Sequence, residues 1–260
     1  MAKSEFDLSG KVALITGGNG GIGLGMAEGL AAAGCDVVIW GTKAEKNAVA
    51  EAELKAFGVR VLVQRVDVSD EAAVSAGFAT ALHEMGRIDG CFANAGVNQV
   101  NAPLHEIPTA EWKRVIGINL DGAFYTLRAA AGHMVQRAKN GDPGGRLVGM
   151  ASTAAIHGAA GATAYAATKG AMVCVIRALA VEMARYGVTA NAILPGWTET
   201  DLTAARLADP KFSGAVLPRI PVRRWGKRQD FAGIAAYIMS DASTYHSGDS
   251  FVIDGAYTIF

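Results

Sequence analysis

The sequence predicts an α/β fold, a doubly wound parallel sheet of Rossmann-like type with about seven strands, in a single domain over residues 1–260. Three observations predict it. Short apolar runs without alternation recur along the chain, as strands covered on both faces require. A stretch of helical length follows most of them, with no linker-like break and no internal repeat, so strand and helix alternate. The first run leads directly into a glycine-rich turn and then a helix, which is the context of a phosphate cradle.

Val12–Thr16 is the first predicted strand, and the turn after it reads Gly17-Gly-Asn19-Gly20-Gly21-Ile22-Gly23. The turn fits G-x-G-x-x-G from Gly18 and T-G-x3-G-x-G from Thr16, and both frames end at Gly23, where a helix must approach its strand closely. Leu24–Ala33 continues as that helix and stops at Gly34. Asp36–Trp40 is the second strand, followed by a helix over Ala44–Phe57. An acid at the end of the second strand would bind a ribose 2′-hydroxyl and repel a 2′-phosphate. Gly41-Thr42-Lys43 stands there with no acid, which favours NADP(H) over NAD(H); Lys43 suits the exposed start of a helix equally well.

Val59–Val66 is the third strand, with Asp67-Val68 at its end within reach of an adenine. A helix over Glu71–Gly86 precedes the fourth strand, Asp89–Ala93, which runs into the tight turn Asn94-Ala95-Gly96. Ala110–Arg137 reads as one long helix carrying Asn119, an amide in an apolar setting that calls for a packing partner or a water. Asn140–Gly145 is a surface loop, and the apolar run Leu147–Ala151 is the end of the fifth strand, just before Ser152. Ala164–Tyr186 is a helix, Val188–Leu194 a strand broken by Pro195-Gly196, and residues 197–224 an irregular stretch with the profile of a movable lid. A helix over Gln229–Ser240 and a strand over Ser250–Ile253 close the chain. Ligands in such sheets bind at the carboxyl ends of strands, where the glycine turn, Gly41–Lys43, Asn94–Gly96, Ser152 and Pro195-Gly196 all fall.

The chemistry is concentrated in S-x12-Y-x3-K, from Ser152 to Lys169. Tyr165 and Lys169 are four apart and share one helix face. A tyrosine hydroxyl titrates near ~10, and a neighbouring cation favours its phenolate and lowers that value. The motif is short and recurs by chance, so its weight comes from its setting.

Hydrophobic residues make up 51% of the chain and charged residues 18%, the balance of a folded globule. A net charge of zero points to no nucleic acid and no acidic membrane surface as partner. Cys35, Cys91 and Cys174, widely spaced in apolar surroundings, read as buried thiols with neither metal-ligand nor disulfide spacing. The polar amino terminus and the lack of any run of 18 apolar residues lead to the expectation of a soluble, cytoplasmic protein with no bound metal.

Taken together, Thr16-Gly17-x3-Gly21-x-Gly23, Asp67, Asn94-Ala95-Gly96, Asn119, Ser152, Tyr165-x3-Lys169, and Pro195-Gly196 with Thr200 resemble the short-chain dehydrogenase/reductase family over nearly the whole chain. The resemblance implies a catalytic tetrad of Asn119, Ser152, Tyr165 and Lys169. Tyr165 would protonate a carbonyl as hydride arrives, or deprotonate the alcohol in reverse, while Ser152 orients the substrate oxygen. Lys169 would lower the tyrosine's pKa and hold the nicotinamide ribose, and Asn119 would anchor a water leading to solvent. Thr198 and Thr200 would hold the carboxamide.

The resemblance also implies a homotetramer pairing the two long helices and the last helix and strand. Two positions depart from the family pattern: Ala93 precedes Asn94, and Gly20 replaces an arginine that many NADP-dependent members carry. Gly41-Thr42 does resemble NADP-using ketoacyl-carrier-protein reductases.

The substrate side should be lined by Val97, Asn98, Ala154, His157, Trp197 and the lid through Leu217, a mostly apolar set with no fixed cation. That favours a neutral alcohol, ketone or sugar lactol over a carboxylated or phosphorylated one; a lone loop histidine such as His157 is more often merely solvated. The expected function is hydride transfer between a nicotinamide cofactor and a secondary alcohol or ketone. The alternatives are a 3-oxoacyl-(carrier protein) reductase, docking through Arg219, Arg223, Arg224, Lys227 and Arg228, or a non-catalytic dinucleotide sensor.

Overall fold

The computed structural model describes residues 4–260. The strands are β1 (Val12–Thr16), β2 (Asp36–Gly41), β3 (Val61–Arg65), β4 (Gly90–Ala93), β5 (Gly145–Met150), β6 (Val188–Pro195) and β7 (Ser250–Ile253). They form one sheet in the order β3-β2-β1-β4-β5-β6-β7, every pair parallel. The helices are α1 (Gly21–Ala32), α2 (Ala44–Lys55), α3 (Glu71–Met85), α4 (Thr109–Ile116), α5 (Gly122–Lys139), α6 (Ala154–His157), α7 (Thr163–Met183), α8 (Ala204–Leu207), α9 (Pro210–Val216) and α10 (Ala232–Met239).

The strands lack alternation because both faces of the sheet are covered. Leu14, Val38 and Trp40 face one core with Phe78 of α3, Leu127 and Met134 of α5, and Met172 and Ile176 of α7. Their neighbours Ile15, Val37 and Ile39 face the other core with Leu24 and Leu30 of α1, Leu54 of α2, and Phe231 and Ile238 at α10. The strand order reverses between β1 and β4, so their carboxyl ends open a crevice at that switch point.

Several elements differ from the sequence expectation, each for a packing reason. α1 begins at Gly21, so the last glycines of the turn form the helix's first turn despite their poor helix propensity. A side chain at Gly23 would lie 2.3 Å from the Gly17 carbonyl oxygen and 2.5 Å from Asn94 Nδ2, so only glycine lets that turn close against β1 and β4. The long helix is α4 and α5 joined by one π-helical turn, Gly117–Asp121, which holds Asn119. Such turns insert a residue into an α-helix and often mark functional positions. Segment 197–224 is less irregular than its composition suggests, since it holds α8 and α9, the latter capped by Asp209 accepting from the Lys211 N–H at 2.9 Å. Cys174 faces outward on α7, whereas Cys35 and Cys91 are buried and burial pushes the Cys91 thiol up to about 12.

Gly23→Ala should lower unfolding stability by about 1–3 kcal/mol through overpacking against the Gly17 carbonyl, measured by urea denaturation. Gly20→Ala should cost far less, because open space surrounds that position.

Candidate active site

Three elements bring the predicted tetrad together. β5 ends at Met150 and delivers Ser152, while α7 presents Tyr165 and Lys169 from its first two turns. Lys169 is buried, its Nζ donating to the Met150 carbonyl at 2.8 Å and lying 5.5 Å from the centre of the Tyr165 ring. Burial with no carboxylate partner lowers the Lys169 ammonium to about 8, so it remains mostly charged at neutral pH. Burial of the Tyr165 hydroxyl raises its pKa, and the Ser152 hydroxyl pulls it back down. Burial is the larger of these two effects on Tyr165.

Asn119 has a structural task in addition to the one the resemblance implies. Its Oδ1 accepts the Val97 N–H at 2.8 Å and its Nδ2 donates to the Val97 carbonyl at 2.9 Å, which fixes the loop after β4. The Val97 backbone is thus tied to Asn119, and Val97 is not among the residues that line the second cavity described below. Asn119 itself is 2% exposed and acts from behind the site.

A cavity of about 310 Å³ runs from the glycine turn to Tyr165. It brings together Gly17, Asn19–Gly23, Asn94–Gly96, Ser152, Tyr165, Lys169, Pro195-Gly196, Thr198 and Thr200. Gly41, Thr42, Lys43, Asp67 and Val68 stand at the ends of β2 and β3, outside this wall. Asp67 is exposed, with Oδ1 accepting from Ser69, and Val68 packs on Gly122. The amino terminus of α1 has no side-chain cap and no acid in its first turn, so its N–H groups suit a pyrophosphate. The residues present thus fit a dinucleotide.

The switch point is held by a small polar lattice. Thr16 Oγ1 accepts the N–H groups of Asn94 and Ala95 at 3.0 and 2.9 Å, and Asn94 Nδ2 donates to the Thr16 carbonyl at 2.8 Å. Asn47 of α2, which nothing in the sequence marks, accepts from Asn19 at 2.7 Å and donates to the Gly41 carbonyl at 3.1 Å. A side chain at Gly41 would fall 2.1 Å from Asn19 Nδ2 and 2.4 Å from Asn47 Oδ1, so an acid there would have to displace this amide pair.

Sequence reading also missed Lys46, which lines the cavity and pairs with Asp201 of the 197–224 segment. The three-residue spacing from Lys43, which puts both lysines on one side of α2, was the available signal.

A second cavity, about 470 Å³, meets the first at Ser152 and Tyr165. Asn98, Ala154, His157 and Trp197 line it as expected, together with Gln99, Thr203 and Arg206. The absence of a cation expected from the sequence is corrected by Arg206, which α8 folds back onto the wall. His157 Nδ1 lies 2.7 Å from the Gly158 carbonyl, which places its proton there and leaves Nε2 an acceptor when the ring is neutral.

A dinucleotide cradle joined to a second cavity through a tyrosine, a serine and a buried lysine defines a nicotinamide-dependent oxidoreductase of secondary alcohols and ketones. Residues 17–258 match the family model described as enoyl-(acyl carrier protein) reductase. The chain belongs to the short-chain dehydrogenase/reductase family.

Among similar proteins, the gluconate 5-dehydrogenase of Gluconobacter oxydans is 34% identical over 254 residues, 98% of this chain and 97% of that protein. The 2-dehydro-3-deoxy-D-gluconate 5-dehydrogenase of Pseudoalteromonas atlantica is 37% identical over 97% of this chain and 98% of that protein. A crystal structure of a gluconate 5-dehydrogenase from Burkholderia cenocepacia in complex with NADP and tartrate superposes with a TM-score of 0.91 at 34% identity, covering 98% of this chain and 97% of that one.

Below pH 8 the buried Lys169 charge weighs fully against folding. Between about 8 and the ordinary 10.5 the unfolded chain binds more protons than the folded one, so stability rises with pH across that window. The contribution amounts to about 2 kcal/mol between pH 8 and pH 10. Lys169→Met should remove this rise and, despite losing activity, be the more stable protein at pH 7; paired denaturation curves at the two pH values measure it.

Proposed function

We propose that the chain transfers hydride reversibly between NADP(H) and a secondary hydroxyl or keto group of a small polyhydroxylated substrate of the sugar-acid class. The observation that carries this reading is the meeting of the two cavities at Ser152 and Tyr165, so that a substrate oxygen in the second cavity reaches the tyrosine beside the dinucleotide. When bound, the nicotinamide supplies or takes up the hydride. Tyr165 gives its proton to the carbonyl oxygen in reduction and takes it from the alcohol in oxidation. Ser152 orients that oxygen, Lys169 supplies positive charge against the phenol and the ribose, and Asn119 positions the loop through Val97. The names of the relatives, which act on gluconate and its dehydro-deoxy derivative, support the substrate class.

The preference for NADP(H) rests on charge. No acid stands at the end of β2, the Asn19–Asn47 pair occupies the space an acid at Gly41 would take, and Lys43 and Lys46 supply two cations next to it. The Lys46–Asp201 pair is exposed and therefore weak, so a 2′-phosphate competes for Lys46 readily. Segment 197–224 serves as a lid over both cavities, within one domain of 260 residues. The reading includes a cytoplasmic homotetramer; exposed apolar Phe124 on α5 and Val181 on α7 support assembly through the long helices.

Carrier-protein docking is less well supported. Arg224 pairs with Asp230, and Arg228 with Glu28 and Glu53, so two of the five basic residues already hold carboxylate partners within the chain.

The test is nicotinamide absorbance with NADPH and NADH across ketones, keto-sugar acids and an acyl-carrier substrate. Turnover of a keto-sugar acid with NADPH supports the reading; turnover confined to the acyl-carrier substrate removes it. Tyr165→Phe should lower kcat by roughly 10²–10⁴-fold. Lys43→Ala combined with Lys46→Ala should raise KM for NADPH about tenfold and leave KM for NADH nearly unchanged, the loss of a charge-assisted phosphate contact.

A further inference from the structure

The cavity beyond Tyr165 has an uneven charge: Arg206 is the one guanidinium on its wall, and no Asp or Glu lines it. Among the described residues Arg206 has no carboxylate within ion-pair distance and no side-chain hydrogen bond. Arg206 is exposed and rests against an aromatic shelf. The guanidinium lies 4.7 Å from the centre of the Phe212 ring, and Phe212 meets Trp197 edge-on at 4.8 Å, while Trp225 lies parallel to it at 6.4 Å. Trp197 is itself part of the cavity wall. Stacking on a ring face holds the planar guanidinium while leaving its N–H edge free, the geometry a carboxylate engages with two hydrogen bonds.

We infer that Arg206 is the specificity residue for the acid end of the substrate: it takes a carboxylate, while Tyr165 and Ser152 take the reacting oxygen of the same molecule. Asn98 and Gln99 on the same wall already spend hydrogen bonds on Leu202 and on Gly161 and Ala164, and Asn101 is a neutral amide. The positive charge for an anion comes from Arg206. The inference rests on the oxidoreductase reading of this site and adds to it the group that selects an acid over its neutral counterpart.

The experiment compares D-gluconate with D-sorbitol, its neutral six-carbon counterpart, as substrates with NADP⁺, in the full-length protein and in Arg206→Gln and Arg206→Lys. The expected result is a wild-type kcat/KM that favours the acid. Arg206→Gln should lower kcat/KM for the acid about 10–100-fold, mainly through KM, and change the neutral substrate far less. Arg206→Lys, which keeps the charge but not the fork, should recover part of the loss.

Equal losses on both substrates in Arg206→Gln would show a lid-folding role and overturn the inference. So would a wild-type enzyme that does not distinguish acid from polyol, with the oxidoreductase reading intact. Absence of turnover on either substrate and on the wider ketone panel would instead remove the underlying reading.

Discussion

Burial of a lysine ammonium between α7 and the carboxyl end of β5 is the constraint around which the site is arranged. A desolvated charge with no carboxylate partner is costly, and the chain offsets part of that cost with one hydrogen bond to the Met150 carbonyl. That bond fixes the end of β5, and two residues further Ser152 takes its place beside Tyr165. The same burial raises the tyrosine's pKa, and the lysine ammonium lies 5.5 Å from the centre of its ring. A salt bridge in place of this arrangement would have stabilised the lysine and cancelled the positive charge the chemistry needs.

A second polar lattice holds the other half of the crevice. Thr16 and Asn94 join β1 to β4 where the strand order reverses, and Asn47 ties the glycine turn to the end of β2. Asn119 does the same for the loop after β4 from within a π-helical turn. In each case a short amide or hydroxyl satisfies backbone groups left open where a strand ends. The crevice is thereby rigid on the cofactor side, while the substrate side is roofed by the short helices α8 and α9 and an aromatic stack. Specificity is consequently a matter of what that roof presents, and Arg206 is its principal charge.

The sequence by itself determined the parallel α/β architecture, the dinucleotide cradle and the serine, tyrosine and lysine of the site. Those features are local: two-face burial writes unbroken apolar runs, a phosphate turn demands glycine at Gly23, and a helix brings Tyr165 and Lys169 together at a spacing of four. Tertiary structure decided what depends on distant groups meeting. The direction of the tyrosine's pKa followed from depth of burial, which the four-residue spacing does not encode. Asn47 acquired its task only because α2 packs under the glycine turn, and the Val97 backbone is held by an amide 22 residues away. Arg206, which the sequence did not single out, reaches the cavity wall only because α8 folds there with Phe212 against its guanidinium, for charge on a lid has no address until the lid has a shape.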